Sequence, residues 1–279
     1  MSLEILHAKG RGKPRTFDLL LVHGIFVGAW VWEEHFMPYL ADAGYDVHAL
    51  SLSGHGESCG RDRLMGLTLQ DYASDMREAV AEIGRPVVAV GHSMGGAVVQ
   101  GAIRNGVSLS GAALLASVPP GGLMAANFAM MFSRPTLWRE LSSMFTGAAD
   151  IDADVLRDGL FSNRVDQKTF AKYMTRGGLE SSIVGLELQG LVPFAPMPWQ
   201  APPMLVVGGS EDRLIRREDL WSTGMWYGVE PVILPGLSHS VMLDPDWKTA
   251  ADSLLGWLEK LEAQMAQNRR ADTEPAHAT

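Results

Sequence analysis

Three deficits narrow the possibilities before any residue present is considered: the chain has one cysteine, no run of basic residues, and no apolar stretch near the length of a membrane span. Cys59 stands alone, so no disulfide can form within the chain and stability cannot rest on an oxidising compartment. Lysine and arginine number 23 against 32 aspartates and glutamates, a formal charge of −9, which repels phosphate backbones; no nucleic-acid partner is expected. The densest early apolar run, 19–22, is strand-sized. Residues 1–15 hold no apolar core of a signal segment. Nothing approaches the ~20 apolar residues that cross a bilayer. A cytoplasmic location follows as the expectation, with the oligomeric state open. No His, Cys, Asp and Glu cluster has metal-ligand spacing, and no glycine-rich loop has phosphate- or dinucleotide-binding form. Neither a metal nor a cofactor is expected.

What is present is a globular composition, 47% hydrophobic and 20% charged. Short apolar runs at 18–23, 45–51, 86–91, 111–117, 204–208 and 231–234 show little polar alternation, as strands buried on both faces do. Between them 32–43, 69–83 and 93–104, and at the end 245–265, carry apolar residues three and four apart. In 69–83 the stripe is Leu69, Tyr72, Met76, Ala79, Val80 and Ile83. This alternation predicts an α/β fold, a mostly parallel sheet with helices on both faces. It breaks once, across about 80 residues rich in Met, Phe and Leu, opened by the Pro-Pro-Gly-Gly of 119–122 and closed by Pro193, Pro196, Pro198, Pro202 and Pro203. The expected organisation is a core of 1–118 and 200–266, a helical cap inserted at 119–199, and a disordered tail at 267–279.

Gly91-His92-Ser93-Met94-Gly95 follows a buried-strand run, Val87 to Val90, and precedes a run of small residues, Gly96 to Ala102. A serine at such a strand-to-helix turn takes a positive φ and projects its Oγ beyond the sheet edge, and the residues two before and two after must lack bulk. The helix N-terminus beneath favours developing negative charge. Serine needs an adjacent base, and histidine has the pKa for it. Of eight histidines, His239 lies in the loop after the last strand run, where a sheet edge delivers it to the site, whereas His92 is expected to point away from Ser93. The imidazole needs a carboxylate to set its tautomer. Asp212, just beyond the run 204–208, supplies it, with Glu211 as the second choice. The oxyanion of an acyl-transfer intermediate needs backbone donors: Met94, after the nucleophile, and Ile25 in the loop 23–28, with Phe26 as second choice. His23 is expected to hold that loop by hydrogen bonding.

With Val22-His23-Gly24, Gly91-His92-Ser93-Met94-Gly95-Gly96, Gly208-Gly209-Ser210-Glu211-Asp212 and Ser238-His239 in place, the chain resembles the α/β-hydrolase superfamily over nearly its whole length, and the loop 53–58 also fits. The resemblance implies a Ser93–His239–Asp212 triad and a cap over the pocket. The stretch His23 to Trp30 with Trp32 is similar to the plant methylesterase and hydroxynitrile lyase group. The lyases carry threonine where Gly24 stands and lysine where Ser240 stands, so cyanohydrin cleavage is not expected. Epoxide hydrolases and haloalkane dehalogenases share the architecture with aspartate at the turn, which Ser93 argues against.

Phe26, Phe128, Met131 and Trp138 are the expected substrate contacts, an apolar and deformable roof suited to an ester of small to medium size. The expected function is a serine carboxylesterase acting on a small-molecule hydrophobic ester through an acyl-enzyme. The same residues could serve a carbon–carbon bond hydrolase, a thioesterase or a cofactor-free perhydrolase, or the fold could be a ligand receptor with vestigial turnover.

Overall fold

The computed structural model describes residues 2–145 and 151–273. Seven strands form one sheet in the order β1-β3-β2-β4-β5-β6-β7: β1 (Glu4–Ala8), β2 (Asp18–Val22), β3 (Val47–Ser51), β4 (Val87–His92), β5 (Gly111–Leu115), β6 (Met204–Gly209) and β7 (Val232–Leu234). All pairings are parallel except β1 against β3. Successive side chains point to opposite faces, and each central strand therefore feeds two cores. Leu19, Leu21, Val88, Val90, Ala113 and Leu115 enter one, while Leu20, Val22, Val87, Ala89, Ala112 and Leu114 enter the other. This two-sided burial is why the strands read as continuous apolar runs.

The first core is covered by α1 (Phe36–Asp42), through Phe36 and Leu40, and by α10 (Trp247–Thr273), through Leu254, Leu258 and Leu261. The second is covered by α2 (Leu69–Ile83) and α3 (Met94–Arg104). The start of α2 is set by a capping box: Thr68 Oγ1 accepts from the Asp71 amide at 3.2 Å, and the Asp71 carboxylate accepts from the Thr68 amide at 2.9 Å. Between β5 and β6 lie α4 (Met124–Ser133), α5 (Pro135–Phe145), α6 (Ala153–Leu160), α7 (Gln167–Met174) and α8 (Ser182–Glu187). A buried carboxylate joins this insertion to the core. Glu180 accepts from the Tyr72 hydroxyl at 2.7 Å and lies 3.1 Å from His55 Nε2.

Three features depart from the sequence reading. β1 went unassigned because a short strand on the sheet edge is only partly buried and shows no clear alternation. The helix α9 (Arg217–Tyr227) went unassigned because its apolar residues do not share a face: Leu220 is buried, whereas Trp221, Met225 and Trp226 are exposed. Of the disordered tail expected at 267–279, residues 267–273 are helical instead. α10 runs on to Thr273, since Gln267, Arg269, Arg270 and Ala271 favour helix and no glycine or proline interrupts the chain before Pro275. Residues 274–279 of that expectation lie outside the described residues.

Candidate active site

Ser93 sits between β4 and α3 with φ 53° and ψ −118°, a backbone state that side-chain-bearing residues seldom adopt. The turn closes because its flanks are glycine. A Cβ on Gly91 would lie 2.5 Å from the Gly95 carbonyl oxygen, and one on Gly95 would lie 2.3 Å from that of Val22. Both strand and helix therefore approach at backbone contact, and the serine is thrust beyond the sheet's C-terminal edge.

Two further strand ends bring partners to it. His239, in the loop after β7, places Nε2 3.1 Å from Ser93 Oγ. Its Nδ1 lies 2.9 Å from Oδ2 of Asp212, in the loop after β6. A carboxylate can only accept, so Nδ1 carries the proton and Nε2 faces the serine as an acceptor. The Asp212 side chain is wholly buried. Its second oxygen accepts from the amides of Leu214 and Ile215 at 2.8 and 2.9 Å, which locks the carboxylate plane. Glu211 is exposed and its amide is tied to the Leu237 carbonyl at 3.0 Å; it takes no part in this line.

The other site histidines are structural and uncharged. Burial drives His23 and His92 down to about 3 from an ordinary 6.5. His23 accepts from the Leu52 amide at 3.0 Å and bonds the Gly24 carbonyl at 2.7 Å, which holds the loop after β2. His92 does more than the sequence reading allowed. Its Nε2 donates to the His239 backbone carbonyl at 2.9 Å, and the two rings stand 4.9 Å apart. The signal for this role was available only as position, one residue before the nucleophile on a buried strand.

Met94, the first residue of α3, has an amide with no intrahelical acceptor. Facing it across Ser93 is the loop 23–28, where Ile25 lines the cavity and Phe26 takes φ 64°. The Phe26 carbonyl accepts from the Gly178 amide at 2.7 Å, which pins the insertion to this loop.

A cavity of about 320 Å³ opens over Ser93 and His239, walled largely by apolar side chains including Phe26, Trp30, Leu141, Met144, Phe161 and Tyr173. Phe26 is where the sequence placed it. Phe128, Met131 and Trp138 are not wall residues, and Phe128 is 63% exposed. The error is one of helical phase. On α5 the inward row is Leu137, Leu141 and Met144, so Trp138 is rotated by about 100° from it. On α4, Met130 is buried while Phe128 and Phe132 pack edge to face on each other outside. The spacing of Leu137, Leu141 and Met144 was the signal that could have found the right row.

The alpha/beta hydrolase family matches residues 19–250. The chain belongs to that family. This hydrolase is 28% identical over 256 residues to a monoacylglycerol lipase of Mycolicibacterium smegmatis, an alignment covering 86% of this chain and 87% of that one. It is 35% identical over 88 residues to methylesterase 7 of Arabidopsis thaliana, covering 30% and 33% respectively. The structure of a thermophilic esterase from Thermogutta terrifontis superposes with a TM-score of 0.68 at 20% identity, over 93% of this hydrolase and 94% of that chain. No helix among the described residues is long and apolar enough to cross a membrane.

Proposed function

We propose that this hydrolase cleaves carboxylic esters through an acyl-enzyme on Ser93. As Ser93 Oγ attacks the ester carbonyl, its proton passes to His239 Nε2, and Asp212 stabilises the imidazolium that forms. The negative charge on the former carbonyl oxygen is held by the Met94 amide and by that of Ile25, each worth about 3 kcal/mol in the transition state. Collapse of the tetrahedral intermediate breaks the ester C–O bond, and His239 returns its proton to the departing alkoxide. Water then repeats the sequence: His239 takes its proton, the hydroxide adds to the acyl carbon, and Ser93 leaves reprotonated.

One observation carries this reading, the continuous line Ser93 Oγ–His239 Nε2–His239 Nδ1–Asp212 Oδ2 at 3.1 and 2.9 Å. The apolar cavity over it supports a hydrophobic ester of small to medium size, and relatives named as a lipase and a methylesterase agree with ester chemistry. The test is a rapid-mixing assay with a short-chain aryl ester. A burst of alcohol equal to the enzyme concentration, followed by a slower steady rate, is the expected result. Turnover in which Ser93→Ala matches the unsubstituted protein would refute the assignment.

A further inference from the structure

The reaction centre opens on two cavities of unequal size. Both are lined by Ile25, Ser93, Leu141, Leu214 and His239. Beyond that shared floor the first is the apolar cavity of about 320 Å³, and the second, of about 80 Å³, runs beneath α4 and α8. At roughly 12 Å³ per water-sized group, the smaller lobe holds about six heavy atoms and the larger about four times as many.

The small lobe is limited by Phe145. Its ring packs on Phe26 at 4.9 Å, and since Phe26 lines the large lobe and Phe145 the small one, the pair partitions the two. Phe145 reaches this position because residue 185 is glycine: a Cβ there would stand 2.8 Å from the ring. Val118, Leu123, Met130, Leu188 and Ile215 add to the apolar lining.

The same lobe contains a polar pair whose orientation is set by chemistry. The Gly185 carbonyl can only accept, so the group bonded to it at 3.0 Å is the Gln189 amide nitrogen. Gln189 Oε1 must then accept from Asn127 Nδ2, at 2.7 Å. Asn127 Oδ1 is left as an acceptor with no donor among the described residues.

We infer that this hydrolase selects esters with one bulky apolar arm and one short arm bearing a hydroxyl, the short arm lying in the Phe145 lobe with its hydroxyl donating to Asn127 Oδ1. The inference rests on the ester hydrolysis proposed above and narrows it to a substrate class. A hydroxyl in the short arm gains a bond that a plain alkyl arm leaves unmade, a difference of roughly tenfold in kcat/KM. A second long arm meets the Phe145 wall of the small lobe.

The test measures kcat/KM for ethyl octanoate, 2-hydroxyethyl octanoate, octyl glycolate and octyl octanoate, alongside labelling of Ser93 by an ethyl fluorophosphonate. The expected order has one of the two hydroxyl-bearing esters about tenfold above ethyl octanoate and octyl octanoate about a hundredfold below it. Which hydroxyl-bearing ester leads tells whether the alcohol or the acyl group occupies the small lobe, and either lead supports the inference. Phe145→Ala should raise octyl octanoate relative to ethyl octanoate by about tenfold, and Leu188→Ala, which widens the lobe from the other side, should act in the same direction. Asn127→Leu should reduce the hydroxyl preference to near one. Octyl octanoate hydrolysed as well as ethyl octanoate, or a hydroxyl preference that survives Asn127→Leu, overturns the inference while labelling of Ser93 leaves the esterase reading standing. No labelling and no hydrolysis of any ester overturns both.

Discussion

His92 Nε2 donates to the backbone carbonyl of His239 at 2.9 Å, so the residue before the proposed nucleophile grips the loop that carries the proposed base. Burial keeps the His92 imidazole uncharged, and its Nε2–H serves as the donor in that state. Nucleophile and base are thereby fixed to each other through the backbone as well as through Ser93 Oγ.

Replacing His92 by phenylalanine keeps the bulk and removes the donor. The expected outcome is a fall in kcat of roughly ten- to a hundredfold with little change in KM, because a base displaced by a fraction of an ångström hurts the chemical step and not binding. Steady-state kinetics across pH check it: a purely structural role would lower the amount of folded enzyme without altering the pH profile of the remainder.

Asp212→Asn should preserve the fold and lower kcat by about 10⁴, since an amide no longer dictates which ring nitrogen of His239 holds the proton. Glu211→Ala, by contrast, should retain nearly full activity, because that side chain is exposed and outside the hydrogen-bonded line. Equal losses in the two variants would reverse the assignment of the acid.

Stability should weaken in acid through His23 and His92. Both have pKa values near 3 in the fold against 6.5 ordinarily, so between those limits the unfolded chain binds more protons. Their contribution is complete above about pH 6.5 and is lost as pH falls toward 3, with a limiting slope of about 1.4 kcal/mol per pH unit for each. Urea unfolding from pH 7.5 to 4.5 measures it. The slope should be shallower in His23→Gln, and an unchanged slope in that variant would remove His23 from the account.

Glu180→Ala should destabilise the protein by about 3 kcal/mol, since it leaves the Tyr72 hydroxyl and His55 Nε2 buried without their partner. Glu180→Gln, which retains an acceptor, should cost less. Urea midpoints for the pair provide the measurement, and a Glu180→Ala midpoint equal to the parent's would show that water replaces the carboxylate.

The centre of the sheet was legible because burial on both faces leaves an apolar run that no other element of that length produces; β4 and α2 are clear in the residues themselves. Gly91 and Gly95 were legible for a related reason, since backbone contact tolerates no other residue there. The chain order of Ser93, Asp212 and His239 followed from their places after the apolar runs that form β4, β6 and β7.

What the amino-acid order determined by itself were the features that depend on local period and on residues with a unique steric role: the buried strands, the crossover helices with a clean stripe, and the turn at Ser93. Tertiary structure alone decided which face of α4 and α5 meets the cavity, that His92 holds His239, that Glu180 reaches Tyr72 across more than a hundred residues, and that Phe145 packs on Phe26. The physical reason is that a rotation of about 100° per residue lets a neighbouring side chain on the same helix face solvent or substrate, and only the packing of distant elements chooses between them.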